Sequence, residues 1–331
     1  MGMGHKAHTR RATTTVALLA AMVTGGLAAG CTGQHAPIDD GRGQLQTSPP
    51  GQDGDGSDDL SAPSVLAVKI DNAPGARPQT GIRSADIVYA EQVEGGLSRL
   101  MAVFATKLPK DVGPVRSARE SDLELLRQFD KPVLAFSGAQ GKLMPLINRA
   151  PLTPQTPGKV SGAYYRDSAK PAPHNLYLRP ERLISSAPGA DALTTGFQYG
   201  AAPSGGKAET SRTVRYPAAS FTFTWSANRA RWLVSMDGTP TVTTDGKRVV
   251  PATVVVQYVT IRPSAFHDFL GANTPYTETV GSGRAQVLRG GRAYDVNWKR
   301  EKATDGTSFT TKDGMPVNFA KGQVWVVFAE K

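Results

Sequence analysis

Hydrophobic residues in this chain fall in short blocks between turn residues, and the period of each block predicts its element. In SVLAVKIDN, Val65 to Ile70 form an aliphatic run closed by Asp71-Asn72, which reads as a strand and a turn. In ADIVYAEQVEGGLSRLMAVFATK, two β-rich runs flank Glu94-Gly95-Gly96, the pattern of a hairpin with a glycine-bearing loop. Leu123 and Leu126, and Leu125 and Phe129, recur at three- and four-residue spacing and predict a helix over Arg119 to Phe129. A second helical pattern covers Gly141 to Arg149, and PVLAFSG between the two reads as a buried strand.

After a seam rich in Ala, Gly, Pro, Ser and Thr at Ser186 to Ser211, the texture changes. FTFTW, RWLVSM, ATVVVQYVTI, AQVLRGGRAYDVNW and QVWVVFA are β-branched and aromatic runs, so hairpins are expected, with one short helical candidate near Pro263 to Leu270. Trp225, Trp232, Trp298 and Trp325 lie in these runs and read as core. The fold class is α+β: an N-terminal α/β sandwich domain over 64–190, a linker over 191–214, and a mainly antiparallel β domain over 215–331.

The first 63 residues follow neither pattern. HKAHTRR is a positive segment and VALLAAMVTGGLAA an apolar one that is too short, and too rich in Gly and Thr, for a membrane span; together they read as an export signal over 1–30. The signal ends in small residues directly before Cys31, the one cysteine of the chain, in the manner of a lipobox. Cys31 is thus the expected lipidation site, its acyl chains of the palmitate kind holding the protein to the membrane. Arg10-Arg11 leaves both the Sec and the twin-arginine export routes open. Residues 31–63 are Gly, Pro, Ser, Gln and Asp with almost no aliphatic residues, a disordered tether. With Cys31 acylated, no cysteine remains for a disulfide, a nucleophile or a thiolate metal site.

Charge changes the picture further. The net charge is +3 over residues 1–30 and −5 over 31–63, so the rest carries +12 of the total +10. A basic body on the extracytoplasmic face of a cell membrane meets anionic headgroups, polymers or acidic proteins, and nucleic acid is not an expected partner.

The chemistry concentrates in GPVRSARESD, residues 113 to 122. Ser117 and Glu120 match a capping box, which makes Ser117 the expected N-cap of the following helix and puts Arg116 and Arg119 at its positive end. Two guanidiniums there call for negative charge. It comes either from this chain's Glu91, Glu94, Asp122 or Asp86, or from a ligand bearing phosphate, sulfate or carboxylate. Arg77, Arg99, Asp71, Asn72, Arg166 and Asn175 complete the candidate ligand-binding set. Glu91, Glu94 and His174 are the candidate acids and bases, each equally readable as an ion-pair partner or a hydrogen-bonded strut. No Gly-x-Ser-x-Gly, Walker or His-Glu-x-x-His pattern is present, and neither a metal nor a cofactor is expected.

KIDNAPGARPQTGIRSADIVYAEQVEGGLSRLMAVF, GPVRSAR and YRDSAKPAPHNLY, in this order, resemble the YerB-like lipoproteins, a bacterial family of the DUF3048 type with N- and C-terminal domains. GRAYDVNWKR through TTKDGMPVNFAKGQVWVV resembles the family's second domain. The resemblance covers roughly residues 64 to 330 and implies an exported, lipid-anchored protein, without supplying a reaction. Three readings follow: a binding or regulatory module for an anionic envelope ligand or an envelope protein, an envelope enzyme acting on a phosphorylated or glycan substrate, and a scaffold holding a buried ion network.

Overall fold

The computed structural model describes residues 64–268 and 271–331; the expected signal segment, Cys31 and the tether lie outside the described residues. In chain order the strands are β1 (Leu66–Asp71), β2 (Ile87–Gln92), β3 (Ser98–Phe104), β4 (Val133–Ala135), β5 (Thr153–Gln155), β6 (Tyr164–Arg166) and β7 (Leu176–Leu178). There follow β8 (Lys207–Ala208), β9 (Ser211–Tyr216), β10 (Ala219–Ser226), β11 (Arg231–Met236), β12 (Thr239–Pro240), β13 (Thr253–Val259), β14 (Ile261–His267) and β15 (Asn273–Thr277). The last are β16 (Gly281–Arg289), β17 (Arg292–Arg300), β18 (Ser308–Thr310) and β19 (Val324–Glu330). Among the described residues two α-helices, α1 (Glu120–Leu126) and α2 (Met144–Arg149), accompany them.

A mixed sheet in the order β18-β17-β16-β13-β19-β2-β3-β1-β4-β5, with β8 on β17, draws strands from both sides of residues 191–214. The join is β19, which runs parallel to β13 on one side and to β2 on the other. β13 and β19 are buried on both faces and therefore read as largely apolar runs, interrupted in β13 by Gln257. One face carries Val88, Val256, Trp325 and Val327 against Phe221, Phe223, Trp232 and Val234 of the four-stranded sheet β12-β11-β10-β9. The opposite face lies under Leu125, Leu126 and Phe129 of the α1 region, Ile147 of α2, and Phe309 and Phe319. Each large aromatic side chain shut in here contributes about 2–3 kcal/mol.

The expected hairpin forms: β2 and β3 pair antiparallel, and the loop between them uses Gly95 (φ 67°) and Gly96 (φ 70°). At Gly96 a Cβ would stand 2.5 Å from Pro217 Cβ, so the position admits glycine for two reasons. The structure is β-rich, with helices of only seven and six residues. The first half is therefore not clearly the α/β sandwich expected, because its helices are too short to cover a sheet face.

Two local expectations are corrected. The helical candidate near Pro263 to Leu270 is the strand β14 as far as His267. There Ser264 and Phe266 are buried while Ala265 and His267 are exposed, and this two-residue alternation prevails. Ser117 is not an N-cap either. The amides of Val115, Arg116 and Ala118 are spent on Leu176 O, Lys69 O and Gly138 O, which keeps the segment extended. The helix begins at Glu120, with Arg119 at the N-cap and its amide donating to Asp122 Oδ2 at 2.7 Å. Among the described residues no helix is long and apolar enough to cross a membrane.

Candidate functional site

The C-terminal end of β1, the turn between β2 and β3, the extended segment 115–119 and the loop leading into β7 meet at one corner of the central sheet. Register does most of the placing: in the antiparallel pairs, Asp71 lies opposite Arg99, and Glu91 lies opposite Arg99 on its other side.

The corner has two layers. In the inner one, Lys69 is fully buried and its Nζ is paired with Glu91 Oε1 and, at 2.7 Å, with Asp122 Oδ1. Burial pulls the ammonium's pKa down and the Asp122 charge opposes it. Ser121 Oγ donates to Glu91 Oε2 at 3.4 Å. Both carboxylates are thereby committed to a lysine. A lysine inside the aliphatic run VLAVKID was the sequence signal for this pair, and sequence reasoning passed over it.

The outer layer holds the arginines. Arg119 forks onto Glu94, with Nε 2.7 Å from Oε1 and Nη2 2.8 Å from Oε2, and Thr274 Oγ1 of β15 donates to the same Oε1 at 2.6 Å. Burial raises the Glu94 pKa, but Arg119, its hydrogen bonds and Arg99 outweigh this and bring it to about 2. Asp71 is shared: His174 Nδ1 lies 2.9 Å and Arg116 Nε 3.4 Å from its Oδ2, with Arg99 across the strand pair. Burial raises this carboxyl too, and His174, Arg99 and Arg116 bring it down to about 2. Arg99 donates to Ser117 O at 3.2 Å. Burial lowers its pKa, and Arg119 and Arg116 beside it push the same way, the mark of crowded positive charge. The side chains of Arg116 and His174 are 12% and 23% exposed, so this layer is not sealed from water.

The remaining predicted residues surround the corner. Arg77 donates to Asn72 O at 2.8 Å and Asn72 Oδ1 at 3.2 Å, and reaches Asp237 Oδ2 at 2.8 Å. Asn72 also donates to Ser98 Oγ at 2.8 Å. Arg166 donates to Asn175 Oδ1 at 2.5 Å in the loop that carries His174. Ser117 contributes its carbonyl, and its hydroxyl lies 3.4 Å from that of Ser137. Asp86, weighed as an arginine partner, instead accepts from the amides of Ala105 and Thr106. Lys170, which sequence reasoning missed, clamps the Arg77 loop by donating to Pro78 O at 2.6 Å and to Ala76 O. Among the described residues no three His, Cys, Asp or Glu side chains gather as a metal site requires.

Comparison with known proteins agrees with this architecture. A curated relative described as "Putative lipoprotein YerB", from Bacillus subtilis (strain 168), is 24% identical over 277 residues, spanning 79% of this chain and 80% of its own. The crystal structure of YerB protein from Bacillus subtilis superposes with a TM-score of 0.67 at 21% identity, covering 81% of this chain and 91% of that one. Residues 53–193 match the N-terminal domain, and 212–326 the C-terminal domain, of the protein family of unknown function DUF3048. The chain belongs to the DUF3048 family.

Proposed function

We propose that the protein is a lipid-anchored module of the cell envelope that binds an anionic ligand, one carrying phosphate or carboxylate, at the corner formed by Arg99, Arg116 and His174. The observation that carries the reading is the sharing of Asp71: one carboxylate serves two guanidiniums and an imidazole. Coulomb attraction at such partly exposed, crowded cations favours a further negative group, and a guanidinium fork matches phosphate or carboxylate oxygens. Arg119 is the positioning member, fixed by Glu94. The Lys69 layer beneath is scaffold that holds β1 against α1. The name of the Bacillus subtilis relative supports the membrane anchor, with Cys31 as the residue that carries it.

The test is equilibrium binding of inorganic pyrophosphate to the full chain in detergent micelles. Arg116→Gln and Arg99→Gln weaken binding at least tenfold, and Arg229→Gln, remote and exposed, leaves it unchanged. Equal affinity in all four proteins removes the site.

One observation favours a second reading. His174 and Asp71 form the imidazole–carboxylate pair that orients a general base. An enzyme acting on a phosphorylated or glycan substrate would use His174, since Glu91 and Glu94 are committed to Lys69 and Arg119. Turnover of p-nitrophenyl phosphate esters lost in His174→Gln, with melting unchanged, is its signature.

A further inference from the structure

A second polar cluster lies on the central sheet, four strands from the arginine corner. Arg284 on β16 lies opposite Asn297 on β17, and Gln286 lies opposite Asp295 one step along the same face. Tyr258 on β13 follows Gln257, the partner of Ala285, and so continues the row of Arg284 and Asn297. The four-stranded sheet covers this face over Val254, Val256, Leu288 and Ala293 and stops there. Beyond its edge is an open pocket of about 460 Å³ lined by the half-buried Tyr258 and the exposed Arg284, Asp295 and Asn297, with exposed Lys312 from the turn after β18 beside them. Small-molecule sites occupy roughly 300–1,000 Å³.

The charges here are arranged differently from those of the corner. There every guanidinium has an internal partner; here neither Arg284 nor Lys312 has one among the described residues. The pocket's carboxylate, Asp295, pairs with neither cation: its Oδ1 accepts from Gln286 Nε2 at 3.0 Å and its Oδ2 stands 3.9 Å from Lys207, which leaves it acceptor capacity toward a ligand. Two cations without carboxylates attract an acid group. An ionised carboxylate accepts hydrogen bonds only, so beside them Asp295 disfavours a bare anion and favours one that also carries hydroxyls. The Asn297 amide and the Tyr258 phenol suit hydroxyls equally.

We propose that this cavity binds a hydroxyl-bearing phosphate or carboxylate, the chemical unit of anionic glycans and polyol phosphates. Arg284 and Lys312 take the acid group, while Asp295, Asn297 and Tyr258 take the hydroxyls. At about 4.8 Å per strand, the four steps from β16 to β3 put it about 19 Å from the corner. Its ligand is therefore held independently of Arg116.

The test is calorimetric titration of the full chain in detergent with glycerol 3-phosphate and with galacturonate, and with glycerol and inorganic phosphate as controls. Saturable binding of either acid, tighter than inorganic phosphate and absent for glycerol, is expected. The acid that binds identifies the source as polyol phosphate or uronic glycan. Arg284→Gln with Lys312→Gln lowers that affinity at least tenfold with an unchanged melting temperature, and the exposed Arg229→Gln does not alter it. No saturable binding of either acid, equal binding of inorganic phosphate, or indifference to the double substitution overturns the proposal.

Discussion

Asp71 Oδ2 lies 2.9 Å from His174 Nδ1, joining the end of β1 to a loop 103 residues away. The same oxygen faces Arg116, so the carboxylate both locks the loop and damps the positive charge. Asp71→Asn separates these roles. Removing one partner of a largely buried cluster costs on the order of 3 kcal/mol, so the melting temperature falls. The unbalanced guanidiniums then bind pyrophosphate more tightly than the wild-type protein does. A variant that melts lower but binds no better contradicts the sharing argument.

Lys69→Met leaves Glu91 and Asp122 facing each other without a cation, at positions that are almost wholly buried. Urea unfolding is expected to show a loss of about 3–5 kcal/mol. Adding Asp122→Asn recovers part of it, with a coupling of about 1 kcal/mol or more. Strictly additive losses would mean that the inner layer is not a unit.

How much of this was legible in the sequence differs from element to element. β1 and the β2–β3 hairpin were readable because aliphatic runs and a Gly-Gly turn are local signals, but the pairing of β1 with β3 that sets Asp71 opposite Arg99 is not one. The start of α1 was not readable. Ser117…Glu120 and Arg119…Asp122 offer competing caps, and the choice is made by amides bonded to Lys69 and Leu176, far off in the chain. Nor does the local pattern show that Trp325 lies beside Val88, since a parallel pairing across more than two hundred residues leaves no periodic trace. The arginines were recognisable as a group, but their division between Glu94 and the shared Asp71 is decided by tertiary structure.

Acid sensitivity follows from Glu94. Its carboxyl drops from 4.5 to about 2 on folding, so the pair with Arg119 stabilises the fold fully above about pH 4.5 and is lost as pH falls toward 2. The shift corresponds to about 3 kcal/mol. Denaturation curves of the wild-type protein and Glu94→Gln should differ by that order at pH 6 and converge near pH 2. A gap that stays constant over this range is inconsistent with an ionised Glu94.

The β14–β15 hairpin is tied to the body through Glu94 and Glu124. Thr274 donates to the first, and Tyr276 Oη, at 2.9 Å, and the Thr279 amide, at 2.8 Å, donate to the second. Thr274→Val removes one donor and costs about 1 kcal/mol. Amide exchange should quicken in Asn273–Thr277 while β13 and β19 keep their protection. Uniform change throughout the chain would show that the hairpin does not open separately.

Anion capture at Arg99 and Arg116 is tested most directly by a crystal structure of the protein grown in saturating pyrophosphate. The account predicts phosphate oxygens about 3 Å from the guanidinium nitrogens of Arg99 and Arg116, with His174 still on Asp71 and Arg119 still on Glu94. Pyrophosphate bound elsewhere, with an empty corner, contradicts it.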